Sequence, residues 1–391
     1  MDNLTHTLFG LTLARTPLGR AGRGVTTALA LASNAPDVDV VMSVRGNTSY
    51  LQWHRGPTHG VIGVVALGLL VAFLVRLGQR IADRYEMRTP GAASEAEAPL
   101  AMLIAASMVA VVCHILMDFP TSYGTRLLSP FDWHWFAADL MPIVDVYLII
   151  ILVAGLLFGS ASTAARRRNA AIVLVLMGAN YSVRAVARYQ AISLAPRVFG
   201  PTWPQRCDGG AHDDRALVAV WPRDKVFTPP VPSSLDGAAA PSTSLRASSR
   251  CLVEVAAMPS FFSPFRWRLV AQMSNAYELH DVDVLDARLR RPAGAEETPW
   301  RIGVRFPNIW TPVVKSAAAA RVPQVFLGFS RFPAARSFTD RATGETTARW
   351  ADVRFVTGLS IDQMQNPFFS ATVRLDRDGR VIDQKLGPPS R

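Results

Sequence analysis

Histidine and aspartate side chains that could bind a metal ion lie inside or beside apolar segments in the first part of the sequence. His114 and Asp118 stand four residues apart at the end of the apolar run 100–117, so a helix there presents both from one face. Phe119-Pro120 follows, which predicts that the helix stops at a membrane boundary. Ionisable groups at membrane depth are costly and indicate a functional site. Taken alone, the pair is equally compatible with a hydrogen bond within the helix.

A second motif is the run 54–59, which reads HRGPTH. Its Gly-Pro pair predicts a turn, so His54 and His59 need not share a helix face. Thr58 can cap a helix that begins near residue 60, which would put His59 at the mouth of that helix. The alternative is an interfacial anchor, with Arg55 on lipid head groups.

A third motif is the run 34–39, NAPDVD. Asp37 and Asp39 lie two residues apart after a proline, where two carboxylates can bridge or chelate a metal; they could equally be two solvated loop acids. His6 lies on the N-terminal arm and, by itself, is more typical of a buried histidine with its hydrogen bonds satisfied.

The composition places these motifs in a membrane protein. The chain has 391 residues, 50% hydrophobic and 18% charged, with a mean hydropathy of +0.19. These values exclude an intrinsically disordered chain, a disulfide-rich miniprotein and a collagen-like fibre. The net charge of +11 comes from dispersed basic residues, so no nucleic-acid partner is expected.

Hydrophobicity divides the chain near residue 190. Of four apolar stretches (60–75, 100–117, 140–158 and 170–188), the second and third are long enough to cross a bilayer and the others are marginal. Two shorter apolar pieces, 4–14 and 25–35, predict a re-entrant or interfacial hairpin. The predicted fold is an α-helical membrane domain, residues 1–190, with about four transmembrane helices plus this N-terminal hairpin. A β-rich soluble domain follows at 191–391, with a Pro/Ser-rich loop near 229–249.

Strands are predicted in this second domain at 216–221, 251–256, 267–272, 322–328, 349–355 and 369–375. The last runs into an Asp-Gly turn at 378–379, which predicts a hairpin. Cys207 and Cys251 could pair if this half lies in an oxidising compartment; two unrelated free thiols fit the sequence as well.

Arginine placement predicts the orientation. Basic residues at 76–88 and 166–168 follow apolar stretches, and the positive-inside rule assigns both groups to the cytoplasm. The β-rich half would then lie outside, although Arg184 and Arg188 point the other way. The same orientation brings the polar residues to the outer boundary: His54, His59, His114, Asp118 and Asp145, joined by His6, Asp37 and Asp39 if the ends of the hairpin face outward.

A mixed shell of imidazoles and carboxylates suits a divalent metal, zinc in the first place, with manganese or iron as alternatives. More than four ligands indicate more than one ion. Carboxylates would bridge such ions, and the ions would activate water.

The same motifs carry a family resemblance. Residues 1–6 (MDNLTH), the runs 34–39 and 54–59, His114 with Asp118, and 142–145 (PIVD) together resemble the YdjM/YfhP-type family of membrane-bound metal-dependent hydrolases. The resemblance covers about the first 150 residues and, more loosely, 263–267. It implies a bacterial inner-membrane protein that spans the membrane several times. It also implies these metal-site residues: His6, Asp37, Asp39, His54, His59, His114 and Asp118.

The leading hypothesis is a membrane-bound metal-dependent hydrolase. Its substrate would be an ester or phosphoester, small or lipid-like, at the outer membrane face, with membrane lipids as partners. Asp39 or Asp118 would act as a base, and Arg55 would bind the oxyanion or phosphate. The alternatives are a membrane-anchored partner-binding or structural protein that works through its β domain, and a transporter.

Overall fold

The computed structural model describes residues 1–85, 96–158, 162–199, 205–207, 214–222, 251–286, 303–356 and 369–387. The Pro/Ser-rich loop expected near 229–249 lies outside the described residues. The chain forms two compact units. The first comprises Met1–Val44, Trp53–Val186 and Phe261–Pro264, and the second comprises Arg45–Gln52, Ala187–Ser260 and Phe265–Arg391.

The first unit begins with a helical hairpin. Helix α1 (Asn3–Ala14) starts at Asp2, whose carboxylate accepts the backbone N–H of Thr5 and so caps the helix. A 3₁₀ turn (Pro17–Arg20) leads to α2 (Val25–Ala32). Gly10 lets the two helices approach closely, because a Cβ there would meet the Leu29 carbonyl oxygen at 2.9 Å.

Irregular structure separates the hairpin from the long helices. A 3₁₀ segment (Ala35–Arg45), helix α3 (Asn47–Trp53) and a 3₁₀ turn (Pro57–His59) come in succession. The longer helices follow: α4 (Val61–Arg84), α5 (Leu100–Asp118), α6 (Val146–Leu157) and α7 (Thr163–Val198), with the short strand β1 (Trp135–Ala137) before α6.

Three of these helices, α4, α5 and α7, are long and apolar enough to cross a membrane. The stretch predicted at 140–158 is helical over only 12 residues. Helix α6 starts late because the Asp145 carboxylate caps it by accepting the backbone N–H of Leu148 at 2.7 Å. Its inner face, with Leu148 and Leu152, packs into the same core as Phe9 of α1 and Leu103 of α5.

The second unit is rich in antiparallel β-structure. Strands β3 (Leu252–Pro259), β4 (Arg266–Met273), β5 (Ala276–Asp283) and β6 (Val304–Pro307) form one sheet in sequence order. A second sheet has the order β10-β9-β8-β7. Its strands are β7 (Pro333–Thr339), β8 (Thr346–Asp352), β9 (Ser370–Leu375) and β10 (Val381–Leu386). Strand β2 (Ala219–Trp221) is short. The structure therefore confirms a helical part, with three helices that could span a membrane, followed by a β-rich part.

Cys207 and Cys251 form a disulfide in this unit, so the pairing that the sequence left open is present. The hairpin predicted around the Asp-Gly turn joins β9 to β10.

One predicted strand is wrong. Residues 322–328 lie in helix α9 (Arg321–Phe329), which follows α8 (Pro312–Ala317). Val322, Phe326 and Phe329 are buried, and this spacing of four and three residues is the helical period. Pro323 is tolerated because it lies in the first turn, where its missing N–H has no helical partner.

A buried ion pair joins α6 to α7. Asp145 contacts the Arg184 guanidinium, and both side chains are fully buried. Asn180, one turn earlier on α7, donates from Nδ2 to Asp145 Oδ1 at 3.3 Å. Asp145 thus serves as helix cap and as counter-ion of Arg184.

We expect this pair to stabilise the first unit. Asp145→Asn keeps the cap but removes the charge, and Arg184→Leu removes the partner; each should lower the free energy of unfolding by about 3–5 kcal/mol because it leaves one buried charge unpaired. Thermal or SDS-induced unfolding of the detergent-purified protein measures this. The double variant should lose less than the sum, and Ser182→Ala, an exposed change on α7, should have little effect. Additive losses would contradict a direct interaction.

Candidate metal centre

Four side chains from three separate segments meet in the first unit: Asp37, His59, His114 and Asp118. Asp37 lies on the 3₁₀ segment that follows α2, and His59 ends the 3₁₀ turn just before α4. His114 and Asp118 occupy the last turns of α5, on one face as their spacing predicts. His59, His114 and Asp118 are buried, while Asp37 remains partly exposed.

The ligand atoms of this group are nearly equidistant. Nε2 of His59 lies 3.4 Å from Asp37 Oδ1, 3.3 Å from Asp118 Oδ2 and 3.2 Å from Nε2 of His114. Nε2 of His114 lies 3.6 Å from Asp37 Oδ1 and 3.4 Å from Asp118 Oδ2. The carboxylate oxygens of Asp37 and Asp118 also lie within 4.8 Å of each other. The group could therefore hold one metal ion at its centre.

Hydrogen bonds at the far side of each ring orient the two imidazoles. Nδ1 of His114 donates to the Ser33 carbonyl oxygen at 2.7 Å. The Thr58 hydroxyl donates to Asp39 Oδ2, so its oxygen accepts from Nδ1 of His59 at 3.1 Å. Both Nε2 atoms consequently point their lone pairs at each other and at the two carboxylates, and such a set of acceptors is stabilised by a cation.

Burial favours the protonation states that metal ligation needs. It lowers the pKa of His59 to about 3, so this imidazole is neutral at neutral pH. Burial alone would raise the pKa of Asp37, but the close approach of the His114 and His59 imidazoles outweighs burial and holds that pKa below its ordinary value. Neutral imidazoles and ionised carboxylates are the forms that bind divalent cations.

His6 lies beside this group without belonging to it. Its ring stacks on that of His114, with the two centroids 3.7 Å apart, and its Nε2 lies 3.4 Å from Asp118 Oδ1. Both ring nitrogens are buried and have no hydrogen-bond partner in the described part of the chain. Oδ2 of Asp118, which faces the imidazoles of His59 and His114, is equally without a hydrogen bond there. Orphaned buried polar atoms of this kind fit a metal ion that would satisfy them.

Arg55 closes one side of the centre. Its Nη2 donates to Asp118 Oδ1 at 3.0 Å, and Nη1 donates to the Gly124 carbonyl oxygen at 3.0 Å. The guanidinium carbon lies 4.8 Å from the centroid of the Tyr123 ring. Arg55 has a left-handed backbone with φ 51°, and its side chain is buried. This conformation turns the chain sharply between the two histidines of the HRGPTH motif.

His54 and Asp39 form a separate pair next to the group of four. Nδ1 of His54 lies 3.1 Å from Asp39 Oδ1, and the backbone N–H of Arg55 donates to Asp39 Oδ2 at 2.7 Å. Nδ1 of His59 lies 3.8 Å from the same oxygen. Asp39 thus holds the turn that presents His59, and the structure does not bring Asp39 or His54 into the group of four.

One further predicted residue, Asp145, lies outside the group of four, and some residues that support the group could not be predicted from the sequence. Asp145 binds Arg184 instead of joining the group of four. Arg184 was interpreted only as a topological charge, although an arginine inside an apolar helix is itself a signal of a buried partner. The Ser33 carbonyl that orients His114 carries no sequence signal, because any residue has one. Thr58 was expected as a helix cap and instead orients His59.

Comparisons with known proteins cover the unit that contains this centre. Residues 1–191 match the family model described as "YdjM inner membrane protein". "Uncharacterized protein YfhP" of Bacillus subtilis (strain 168) is 25% identical over 194 residues, which are 48% of this chain and 54% of that protein. The chain thus spans about half the length of the curated relative it matches. No solved structure matches the chain.

The first 191 residues therefore match the YdjM inner membrane protein family, as the sequence motifs indicated. The family match over these residues and the apolar helices together support a membrane location.

Removing the two imidazoles should remove the metal. We expect the detergent-purified protein to contain a divalent transition metal at about one ion per chain, and the His59→Ala/His114→Ala variant to contain none, because only carboxylates remain. Elemental analysis measures this. His134→Ala is the matched control, since His134 is half exposed and hydrogen-bonded to Asp132, apart from the group. Equal metal content in all three proteins would contradict the assignment.

Asp39→Asn should have a smaller effect than loss of a ligand. Asp39 orients His59 through the turn, so we expect metal to bind about 10–100-fold more weakly but still at full occupancy when metal is in excess. Competition with a chelator of known affinity measures the change. Asp37→Asn, which alters a member of the group of four, should weaken binding further. An unaltered affinity in Asp39→Asn would show that the turn keeps its form without this carboxylate.

Proposed function

We propose that the protein is a membrane-bound metal-dependent hydrolase that acts on an ester or phosphoester at the outer membrane face. The observation that carries this proposal is the compact set of two imidazole nitrogens and two carboxylate oxygens at the ends of the apolar helices α4 and α5. A bound divalent metal would supply Lewis-acid activation of water and of a substrate oxygen at this centre.

Zinc is the metal that the spacing favours. Zn²⁺ binds nitrogen and oxygen at about 2.0–2.1 Å, so the corners of its tetrahedron are about 3.3–3.4 Å apart. Five of the separations in the structure, 3.2–3.6 Å, agree with this. An octahedral ion with bonds of about 2.1 Å would draw adjacent ligands to about 3.0 Å. The nitrogen and oxygen donors also suit zinc, while manganese and iron remain alternatives that metal analysis distinguishes.

Substrate would reach the centre from the side of Asp37, the partly exposed member of the group. Exposed apolar side chains lie on the segments that carry the group: Val38, Val41 and Val44 on the same 3₁₀ segment as Asp37, and Trp53, whose ring contacts that of Trp133, shortly before His59. Exposed aromatic and aliphatic residues at a membrane boundary suit contact with lipid. They favour a lipid-like substrate whose polar part lies over the metal centre.

His54, oriented by Asp39, would act as the general base that accepts a proton from the attacking water. Because Nδ1 of His54 is directed at Asp39, the proton would be accepted and released at Nε2. This refines the expected role of Asp39, which would orient the base instead of acting as the base itself. Asp118 would be a ligand through Oδ2, while Arg55 would neutralise its Oδ1 and add positive charge for an oxyanion or phosphate. His6 would complete the surroundings of Asp118 and could hold a second ion.

The proposed orientation rests on the helix ends. The metal centre lies at the start of α4, whereas Arg76, Arg80 and Arg84 lie in its last turns, so the positive-inside rule favours the outer face for the centre. Arg166–Arg168 lie in the first turns of α7, which requires α6 to return the chain to the inner face. Four crossings follow, although α6 alone is too short to span, and the β-rich unit would lie outside. The Cys207–Cys251 disulfide supports an oxidising compartment for that unit.

The test is hydrolysis by the full-length protein in detergent or liposomes. Chromogenic carboxylic esters, phosphomonoesters and phosphodiesters, followed by phospholipids, cover the proposed chemistry. We expect chelation and His59→Ala each to reduce the rate by more than about 100-fold, since even indirect changes at metal centres cost about 10–100-fold. Zinc should restore the chelated protein, and His134→Ala should keep its activity. A chelator-insensitive rate shared by all variants would contradict the proposal.

A further inference from the structure

A recess lies in the first unit, and none of the metal-centre residues lines it. Its volume is about 740 Å³, and it is lined by the end of α1, the 3₁₀ turn after it, the end of α6 and the first turns of α7. Arg15, Arg20, Arg166 and Arg167 line it, and none of the described residues around it is acidic. The recess is therefore strongly positive.

The short helices α1 and α6 create this recess. Each has 12 residues and is about 18 Å long, whereas the hydrocarbon layer is about 30 Å thick. Helix α1 carries His6 near its start at the metal centre, so in the proposed orientation its other end would lie in the opposite leaflet. Arg15 follows that end and donates from Nη1 to the Gly155 carbonyl oxygen of α6 at 3.0 Å. The two helix ends thus meet and leave a concavity beneath them.

Three of the four arginines in the recess, Arg15, Arg20 and Arg167, form no ion pair in the described part of the chain, unlike two arginines nearby. Arg23 and Arg76, close by in the same unit, form ion pairs with Glu97. Nε of Arg167 is buried without a hydrogen-bond acceptor within the described ranges. Burial lowers the pKa of Arg15, and the charge of Arg166 lowers it further.

The N-terminus of α7 adds to this field. Thr163, its first residue, lines the recess, and the positive end of a helix dipole attracts anions. The positive-inside rule depends only on the number of positive charges on this side of the membrane. It would not require four arginines and a helix terminus to converge on one concave wall, which is the arrangement that binds phosphate.

We propose that this recess is a binding site for a phosphate-bearing anion, supplied either as the headgroup of an acidic phospholipid or as a free phosphate compound. The arginines bind the phosphate oxygens through paired N–H groups. In the orientation proposed above, the recess lies at the inner membrane side, where lipid headgroups are present. The site is independent of the metal centre.

Native mass spectrometry of the full-length protein in neutral detergent tests this directly. Phosphatidylglycerol is titrated against phosphatidylcholine in one arm, and sodium pyrophosphate is titrated in the other. Arg15→Gln/Arg167→Gln should weaken binding of the bound anion by about tenfold or more, because two guanidinium contacts are lost. Arg80→Gln/Arg84→Gln removes the same charge from exposed positions on α4 and should change binding by less than about threefold.

Each outcome of this experiment supports or overturns the proposed anion site. Phosphatidylglycerol adducts that only the first variant loses identify a lipid site, and pyrophosphate adducts with the same dependence identify a soluble phosphate ligand. Equal weakening in both double variants, or no adduct of either probe on the unaltered protein, overturns the proposal. Should Arg15→Gln/Arg167→Gln fail to fold, the exposed Arg20→Gln with Arg80→Gln as its control makes the same comparison.

Discussion

The architecture of the first unit depends on one electrostatic constraint. The ligand atoms of two imidazoles and two carboxylates lie within 4.8 Å of one another, and three of the four side chains are buried. In a medium of low dielectric constant, such a set of acceptors repels itself unless a cation lies between them. The surrounding hydrogen bonds of Ser33, Thr58 and Asp39 fix the geometry in advance, so the protein does not have to reorganise to bind an ion.

The helices meet this constraint at their ends. The last turns of α5 supply His114 and Asp118 from one face, and α4 starts just after His59. The irregular segments contribute what a helix cannot, because Asp37 and His59 must approach the centre from different directions. The price of this arrangement is a pair of short helices, α1 and α6, which do not cross a bilayer alone. The Asp145–Arg184 pair secures one of them to α7.

The sequence predicted most helices and strands, but it predicted less well how they bring the site residues together. The spacing of His114 and Asp118 specifies one helix face, so their joint position could be predicted from periodicity. The approach of Asp37 to His59 could only be expected from a shared membrane boundary, since the turn at Arg55 and the 3₁₀ segment leave no periodic signal. Asp39 and His54 have the same residue types as the ligands, and nothing local distinguishes a ligand from the group that orients it. The strand predicted at 322–328 was wrong because a short apolar stretch is compatible with a strand as well as with a helix until its packing is known.

The central claim is that His59, His114, Asp37 and Asp118 together bind one tetrahedral metal ion. X-ray absorption at the metal edge of the purified full-length protein tests it most directly, because the spectrum reports the type, number and distance of the ligands. The account predicts zinc with two imidazole nitrogens and two carboxylate oxygens at about 2.0–2.1 Å. A sulfur-rich shell, a six-coordinate ion or a spectrum without imidazole scattering would contradict it.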